Sequence, residues 1–269
     1  MLKQFIAVLF FIPLLASANE VDQAKPLPLD SCKGEAIYGF PTGKKQDVTS
    51  ICRKAYVLQY DNKAKIPIWT SYVLTPIRAT GCFPRTNSFS PDYSLPPESR
   101  STPKDYAKSG YDTGHMVNDG DMRWDQEAET ESFILSNMTP QTKELNRGIW
   151  KKLEDSSRGW TISRGHALQI YAGPIYDKDQ DKTIGDDMVT VPHAFFKVII
   201  DTVTNEVMLY VFTQDGSRGL LDAGLTSLAE VQRQTGLILP MPSKPVFTGT
   251  WDRVMKNASR TKVNVCSLK

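Results

Sequence analysis

The segment VPHAFFKVIIDTVTNEVMLYVFTQ, residues 191–214, constrains the fold more than any other part of the chain. Two runs rich in β-branched and aromatic residues flank a Thr-Asn pair at 204–205, which predicts a hairpin with strands at 195–200 and 207–212. Residues 55–75 predict a second pair of strands around an Asp-Asn-Lys turn. Strands joined by short turns are antiparallel, so we expect a largely antiparallel sheet.

Helical patterns occur elsewhere in the chain. One begins at Ala128 and breaks at Pro140, a second runs from about Glu144 to near Gly159, and a third covers 227–239. Together with the strands they predict an α+β fold, with a mixed, largely antiparallel central sheet and flanking helices.

The first 18 residues, MLKQFIAVLFFIPLLASA, have the layout of a secretory signal peptide. Lys3 is followed by an apolar core at 5–15 and by the small-x-small sequence Ala-Ser-Ala at 16–18; the alternative is a buried N-terminal helix. Cleavage before Asn19 would leave residues 19–269 as a single domain without a linker or repeat, exported to the periplasm or the medium. No later segment is long and apolar enough to span a bilayer, so we expect no membrane partner.

The four cysteines are Cys32, Cys52, Cys82 and Cys266. An even number in an exported chain predicts two disulfides, and the sequence does not choose among the three pairings. None of the four belongs to a CxxC pair or lies beside a histidine, which argues against a zinc site.

The formal net charge is only +2. Proteins that bind nucleic acid through their bulk charge are far more basic. A polyanion would therefore have to bind to a local cluster of cations.

The sequence GYDTGHMVNDGDMRW, residues 110–124, contains His115, one of only three histidines. His115 ends a segment at 80–115 that is rich in Pro, Ser and Gly. Such a composition predicts a long ordered loop of a kind that often carries function. Gly114 would let the backbone approach a ligand closely, and histidine is well suited to move a proton near neutral pH. His166 and His193 adjoin apolar strands and are interpreted as structural.

The acidic residues after His115 support a rival interpretation. The sequence NDGD at 118–121, with Asp125, resembles part of a calcium-binding loop. The full ligand spacing and the closing glutamate are missing. A calcium-stabilised secreted module is therefore the weakest of the hypotheses for this chain.

Four polar or aromatic residues recur at intervals of four: Asn146, Trp150, Glu154 and Arg158. If the segment is helical, they form one slowly drifting stripe. The alternative is a Glu154–Arg158 ion pair beside an exposed amide, as on many helix surfaces.

Taken together, these motifs resemble the DNA/RNA non-specific endonuclease family, which has a ββα-metal (His-Me finger) catalytic core. Asp-x-Gly-His at 112–115 is followed, after about thirty residues, by Leu-Asn-x-Gly-x-Trp-x-x-Leu-Glu-Asp. The block SNMTPQTKELNRGIWKKLED is similar to the family's central block over its whole length. Shorter similarities occur in PRTNSFSPDYSLP, YAGPIY, VPHAFFKVI and TGLILP, so the resemblance covers about residues 55–240.

The resemblance implies a Mg²⁺-dependent endonuclease that cleaves both DNA and RNA and leaves 5′-phosphates, and the predicted signal peptide implies that it is exported. It implies His115 as the general base, Asn146 as the direct protein ligand of one Mg²⁺ (or Mn²⁺ in its place), and Glu154 as the holder of a metal-bound water. The other implied catalytic residues are Arg85, Asn137 and Arg158. Contacts to substrate are implied for Asp112, Thr113 and Arg147.

One position departs from the family motif, which usually has arginine where this chain has Thr113. A hydroxyl cannot bind phosphate bidentately as a guanidinium does. Either activity is lower or another cation takes this role, with Lys108, Arg123 and Arg147 as candidates. The departure also motivates an alternative, a nuclease-like module that binds nucleic acid or a protein without cutting. The resemblance leaves open whether the chain forms a homodimer or binds an inhibitor protein.

Overall fold

The computed structural model describes residues 26–43, 47–177, 180–216 and 220–251. The predicted signal peptide and Cys266 lie outside these ranges. The strands within them, β1 to β13 in chain order, are Thr42–Gly43, Val48–Cys52, Val57–Asp61, Ile66–Leu74, Asp112–His115, Met138–Gln141, Leu168–Ile175, Thr183–Ile184, Val189–Thr190, Ala194–Asp201, Glu206–Thr213, Leu237–Ile238 and Val246–Phe247. The α-helices, α1 to α5, are Pro103–Tyr106, Asp119–Met122, Gln126–Ser132, Lys151–Arg164 and Leu228–Thr235. Short 3-10 helices cover Leu29–Glu35, Arg78–Thr80, Pro97–Ser99, Leu135–Asn137 and Leu221–Gly224, and a π-helical turn covers Leu145–Trp150.

A seven-stranded sheet in the order β13-β11-β10-β7-β4-β3-β2 forms the centre of the described structure. Its neighbours are antiparallel except β11 and β13, which are parallel. The predicted hairpin is β10–β11, in which Ile200 pairs with Val207. Asn205 completes its turn with a φ of 59°, a left-handed conformation that asparagine tolerates. The prediction of an α+β fold with a largely antiparallel sheet is confirmed.

Both faces of this sheet are covered. On one face, Tyr72 and Phe195 pack with Trp150 and Leu153 next to α4. On the other face, Trp69, Phe196 and Val231 pack in a cluster that includes α5 and the first 3-10 helix. Every residue of β4, β7 and β10 is therefore buried, which explains their nearly continuous apolar sequences.

A separate two-stranded hairpin, β5–β6, carries the Asp-x-Gly-His motif. His115 pairs with Met138 and Thr113 with Pro140. A Cβ atom on Gly114 would collide with the side chain of Gln141 in β6. The glycine is thus required for packing within this hairpin.

Two helix boundaries differ from the sequence prediction. The helix expected from Ala128 to Pro140 ends at Ser132 as α3, because residues 138–141 form β6. Proline is tolerated there since β6 has only one partner strand. The helix expected to end near Gly159 continues to Arg164 as α4. It stops at Gly165, whose φ of 69° is the left-handed conformation of a helix C-terminus.

The predicted stripe of four residues is interrupted. Gly148 has non-helical φ and ψ of −104° and −113°, which places a kink inside the π-helical turn, before α4 begins. Trp150 lies in the core against Phe195, with the ring centroids 5.7 Å apart. The tryptophan is therefore a packing residue, and the expectation that it shares one surface with Asn146 was wrong.

Cys32 and Cys52 form a disulfide that ties the first 3-10 helix to β2. Cys82 is also disulfide-bonded. The prediction that the cysteines form disulfides is thus confirmed for Cys32, Cys52 and Cys82.

None of the described helices has both the length and the apolar character needed to cross a bilayer.

Candidate active site

A cleft of about 740 Å³ opens between the β5–β6 hairpin, the π-helical turn and α4. It brings together residues that are far apart in the sequence. Seven of the predicted site residues line it, namely Arg85, Thr113, His115, Asn146, Arg147, Glu154 and Arg158. Asp112 and Asn137 are not among the lining residues, and each supports one that is.

His115 lies at the end of β5 and is only 8% exposed. Its ring packs edge-on against Phe133 at 4.9 Å between centroids, and its carbonyl accepts a hydrogen bond from Trp150 Nε1. Burial lowers the pKa of His115 to about 3, with Asp119 opposing the shift and Arg85 adding to it. The imidazole is therefore neutral near pH 7. Its Nε2 is buried and makes no hydrogen bond to the described residues.

Asn137 supports the backbone that follows His115. Its side-chain oxygen accepts from Val117 N at 2.9 Å, and its Nδ2 donates to the carbonyls of Val117 and Ser132 at 2.8 Å. The residue is fully buried. The structure therefore favours a positioning role for Asn137 over contact with substrate.

Asp112 holds two neighbours from the π-helical turn. Its Oδ2 accepts from Asn146 Nδ2 at 3.0 Å, and both of its oxygens accept from Arg147 at 2.7 Å. Burial raises the pKa of Asp112, but these bonds lower it more, so the pKa lies below its ordinary value. With its nitrogen fixed in this way, Asn146 keeps its carbonyl oxygen for another partner.

Glu154 is largely, though not fully, buried at the wall of the cleft, on the first turn of α4. Burial raises its pKa to about 7, although Lys197 and Arg158 lower it. Oε1 of Glu154 makes no hydrogen bond to the described part of the chain and lies 3.5 Å from Lys197 Nζ. The carboxyl group therefore keeps an oxygen without a hydrogen-bond donor.

The acidic residues after His115 have partners of their own. Asp119 pairs with Arg85 and Arg123, and Asp121 accepts from Tyr72 and Arg158. Asp125 caps the N-terminus of α3. Across the described ranges, no three His, Cys, Asp or Glu side chains are arranged to hold a metal. These contacts disfavour the calcium-loop hypothesis.

Five cations line the cleft although the net charge of the chain is small: Arg85, Arg123, Arg147, Lys151 and Arg158. Of the candidates to replace the guanidinium missing at Thr113, Arg123 and Arg147 are in this set and Lys108 is not. The other two histidines are not lining residues. His166 pairs with Asp201 at 2.8 Å and the half-exposed His193 with Asp181 at 3.2 Å.

The cleft thus brings together residues that the sequence resemblance implied, namely Arg85, His115, Asn146, Glu154 and Arg158. The sequence profile of the DNA/RNA non-specific endonuclease family matches residues 34–242. The chain belongs to this family. It is therefore a nuclease, that is, a hydrolase of nucleic acids.

Individual relatives support this assignment. The nuclease of Serratia marcescens is 31% identical over 236 residues, which cover 84% of this chain and 86% of the relative. Human mitochondrial endonuclease G is 30% identical over 201 residues, which cover 69% and 67%. The crystal structure of the EndoG/EndoGI complex matches with a TM-score of 0.68 and 30% identity, covering 79% of this endonuclease and 91% of that chain.

Sequence reasoning missed two residues that shape the endonuclease's cleft. Asp121 is fully buried and fixes Arg158 through a bond of 2.7 Å. Lys197 lies in β10 beneath Glu154. The sequence did contain a signal for Lys197, because it lies within the apolar run AFFKVII and lysine is rarely buried without a partner.

Proposed function

We propose that the protein is an exported, Mg²⁺-dependent endonuclease that hydrolyses phosphodiester bonds of both DNA and RNA and leaves 5′-phosphates. The proposal rests above all on one observation, the convergence of His115, Asn146 and Glu154 on one cation-lined cleft. His115 acts as the general base. Its neutral imidazole, at the wall of the cleft, removes a proton from the attacking water.

The oxygen atoms of the cleft fit one hard divalent cation. Asn146 offers a neutral carbonyl oxygen because its nitrogen is bound to Asp112. Glu154 lines the same cleft, and its carboxyl group is suited to hold a water bound to the ion. Mg²⁺ prefers oxygen ligands and keeps several waters, so a site with a single direct protein ligand is reasonable, and Mn²⁺ would fit the same oxygens. When bound, the ion supplies positive charge for the phosphate.

The cations of the cleft hold the substrate. Asp119 binds Arg85 and Asp121 binds Arg158. Both guanidinium groups are therefore oriented before the substrate arrives. Arg147 is 67% exposed and held by Asp112 beside Thr113. Contacts of this kind read phosphate rather than bases, which favours cleavage of many sequences and of both sugar types.

Export to the periplasm or the medium is part of the proposal. The Cys32–Cys52 disulfide supports it, since disulfides persist in oxidising compartments. The relatives differ in this respect, because several of them are named as mitochondrial. A protein inhibitor is a further proposed partner, by analogy with the EndoG/EndoGI complex.

Electrophoresis in gels cast with DNA or with RNA, followed by renaturation, tests the activity directly. Clearing of both gels in Mg²⁺ and no clearing in EDTA are expected. Binding of labelled nucleic acid without clearing in Mg²⁺ or Mn²⁺ would contradict the proposal and favour the binding module that Thr113 motivated.

A further inference from the structure

Lys197 is a cation inside the apolar core. It lies in the middle of β10, is 1% exposed, and its Nζ is 4.2 Å from the centre of the Trp150 ring. Burial lowers its pKa, an effect that Glu154 and Asp121 oppose. Burying a charged amine costs several kcal/mol unless a partner compensates. A methionine would fill the same space without that cost, so packing alone does not account for the lysine.

The partner that compensates Lys197 is Glu154. Nζ and Oε1 are 3.5 Å apart, and neither atom makes a hydrogen bond to the described residues. Glu154 lines the cleft and Lys197 does not. The lysine therefore contacts the carboxyl group from the core side.

The other charges around Glu154 come from α4 and α2. Asp121 and Asp155 oppose its ionisation, and Arg158 favours it. Arg158, however, donates to both of those aspartates, with 2.7 Å to Asp121 Oδ1. Lys197 is the nearby cation without a carboxylate partner other than Glu154 among the described residues.

We propose that Lys197 is a positioning residue that fixes the Glu154 carboxylate at the wall of the cleft. The inference rests on the proposed hydrolysis, in which Glu154 acts as a carboxylate. Lys197 itself touches neither substrate nor metal. Its Nζ also lies over Trp150, which donates to the His115 carbonyl. A mutant cycle with Glu154 shows whether the effect on the reaction passes through the carboxylate.

The test is a cycle of Lys197→Met, Glu154→Gln and the double variant, with kcat/KM for a short duplex measured from pH 5 to pH 9 in Mg²⁺. Lys197→Met is expected to lower kcat/KM by about 10-fold to 100-fold, the usual cost of removing such a support. The acid limb of its pH profile should move to higher pH, because the carboxylate loses a favourable charge. In the double variant, the loss should be no larger than in Glu154→Gln alone.

Lys65→Met is the matched control. Lys65 is also largely buried and lies 3.6 Å from a carboxylate, Asp187, but it is not a lining residue of the cleft. Its loss should leave the pH profile unchanged. If Lys197→Met does not fold, Lys197→Gln replaces it, and the double variant removes both members of the buried pair.

Losses that add in the double variant, with an unmoved acid limb, would overturn the inference and leave the proposed function intact. A folded wild-type protein that cleaves no nucleic acid would overturn the proposed function itself. The two failures are therefore distinguishable.

Discussion

At the residue scale, burial shifts the proton affinities of His115 and Glu154 in opposite directions. It lowers the pKa of the histidine to about 3 and raises that of the glutamate to about 7. The reason is the same in both cases, because burial disfavours the charged form. In the proposed reaction the neutral form of His115 is the active one, so burial favours the form that accepts a proton. The same burial disfavours the ionised form of Glu154.

His115 should make the stability of the protein depend on pH. His115 in the unfolded chain takes up a proton below about pH 6.5, but in the folded protein it does so only near pH 3. The unfolded state binds more protons between these values, so the wild type loses stability as pH falls. His115→Gln lacks this contribution, and its free energy of unfolding should gain on the wild type by up to about 1.4 kcal/mol per pH unit. Urea titrations from pH 7.5 to pH 5 measure the difference. A constant difference would mean that the imidazole is accessible to protons in the folded state.

Thr113 lacks the guanidinium group that the family motif usually has at this position. If Arg147 takes over its contact with phosphate, Arg147→Ala should raise KM and reduce the slope of log binding affinity against log salt by about 0.9. Thr113→Arg in the same chain should restore both. Arg233→Ala on α5, an exposed arginine paired with Glu230, serves as the control. An unchanged salt slope in Arg147→Ala would assign the contact to Arg123 or to no residue.

At the scale of elements, the β5–β6 hairpin places His115 only because Gly114 has no side chain. Gly114→Ala should destabilise the protein by about 1 to 3 kcal/mol, since the new methyl group would overlap with Gln141. Gln141→Ala in the same chain should recover most of this loss. Thermal melts provide the measurement, with Gly249→Ala as the control because a Cβ there meets no atom within 4 Å. Equal destabilisation by both glycine variants would show that the hairpin has room for a methyl group.

The elements also show what the sequence could predict. The hairpin β10–β11 followed from strand propensity, because its turn is local. The kink at Gly148 did not follow from any local pattern. Asn146 and Arg147, just before it, donate to Asp112, about 35 positions away in the chain. Gly159 suggested the end of a helix, yet α4 continues because its packing against the sheet outweighs a cost of about 1 kcal/mol.

The same limit applied to the candidate site. The residue types of the cleft were predictable from two motifs, the Asp-x-Gly-His sequence and the block that begins at Leu145. The roles of Asn137 and Lys197 were not, because each acts through contacts with distant parts of the chain.

At the scale of the whole molecule, the Cys32–Cys52 disulfide belongs to the face of the sheet that carries α5, away from the cleft. Replacing both cysteines with serine should lower the free energy of unfolding by about 3 kcal/mol, given a sequence separation of 20. The kcat at 25 °C should stay unchanged. Denaturant unfolding and plasmid cleavage measure the two quantities. A large loss of kcat in the folded variant would show that the two faces of the sheet are coupled.

The central claim is that His115 is the base of a phosphodiester hydrolase. The most direct measurement is the rate of plasmid nicking in Mg²⁺ by His115→Ala, compared with wild type and with His193→Ala, whose ring is half-exposed and outside the cleft. We expect His115→Ala to fold and to lose about 100-fold to 10,000-fold in rate, while His193→Ala keeps the wild-type rate. A His115→Ala protein that nicks plasmid as fast as the wild type would contradict the account.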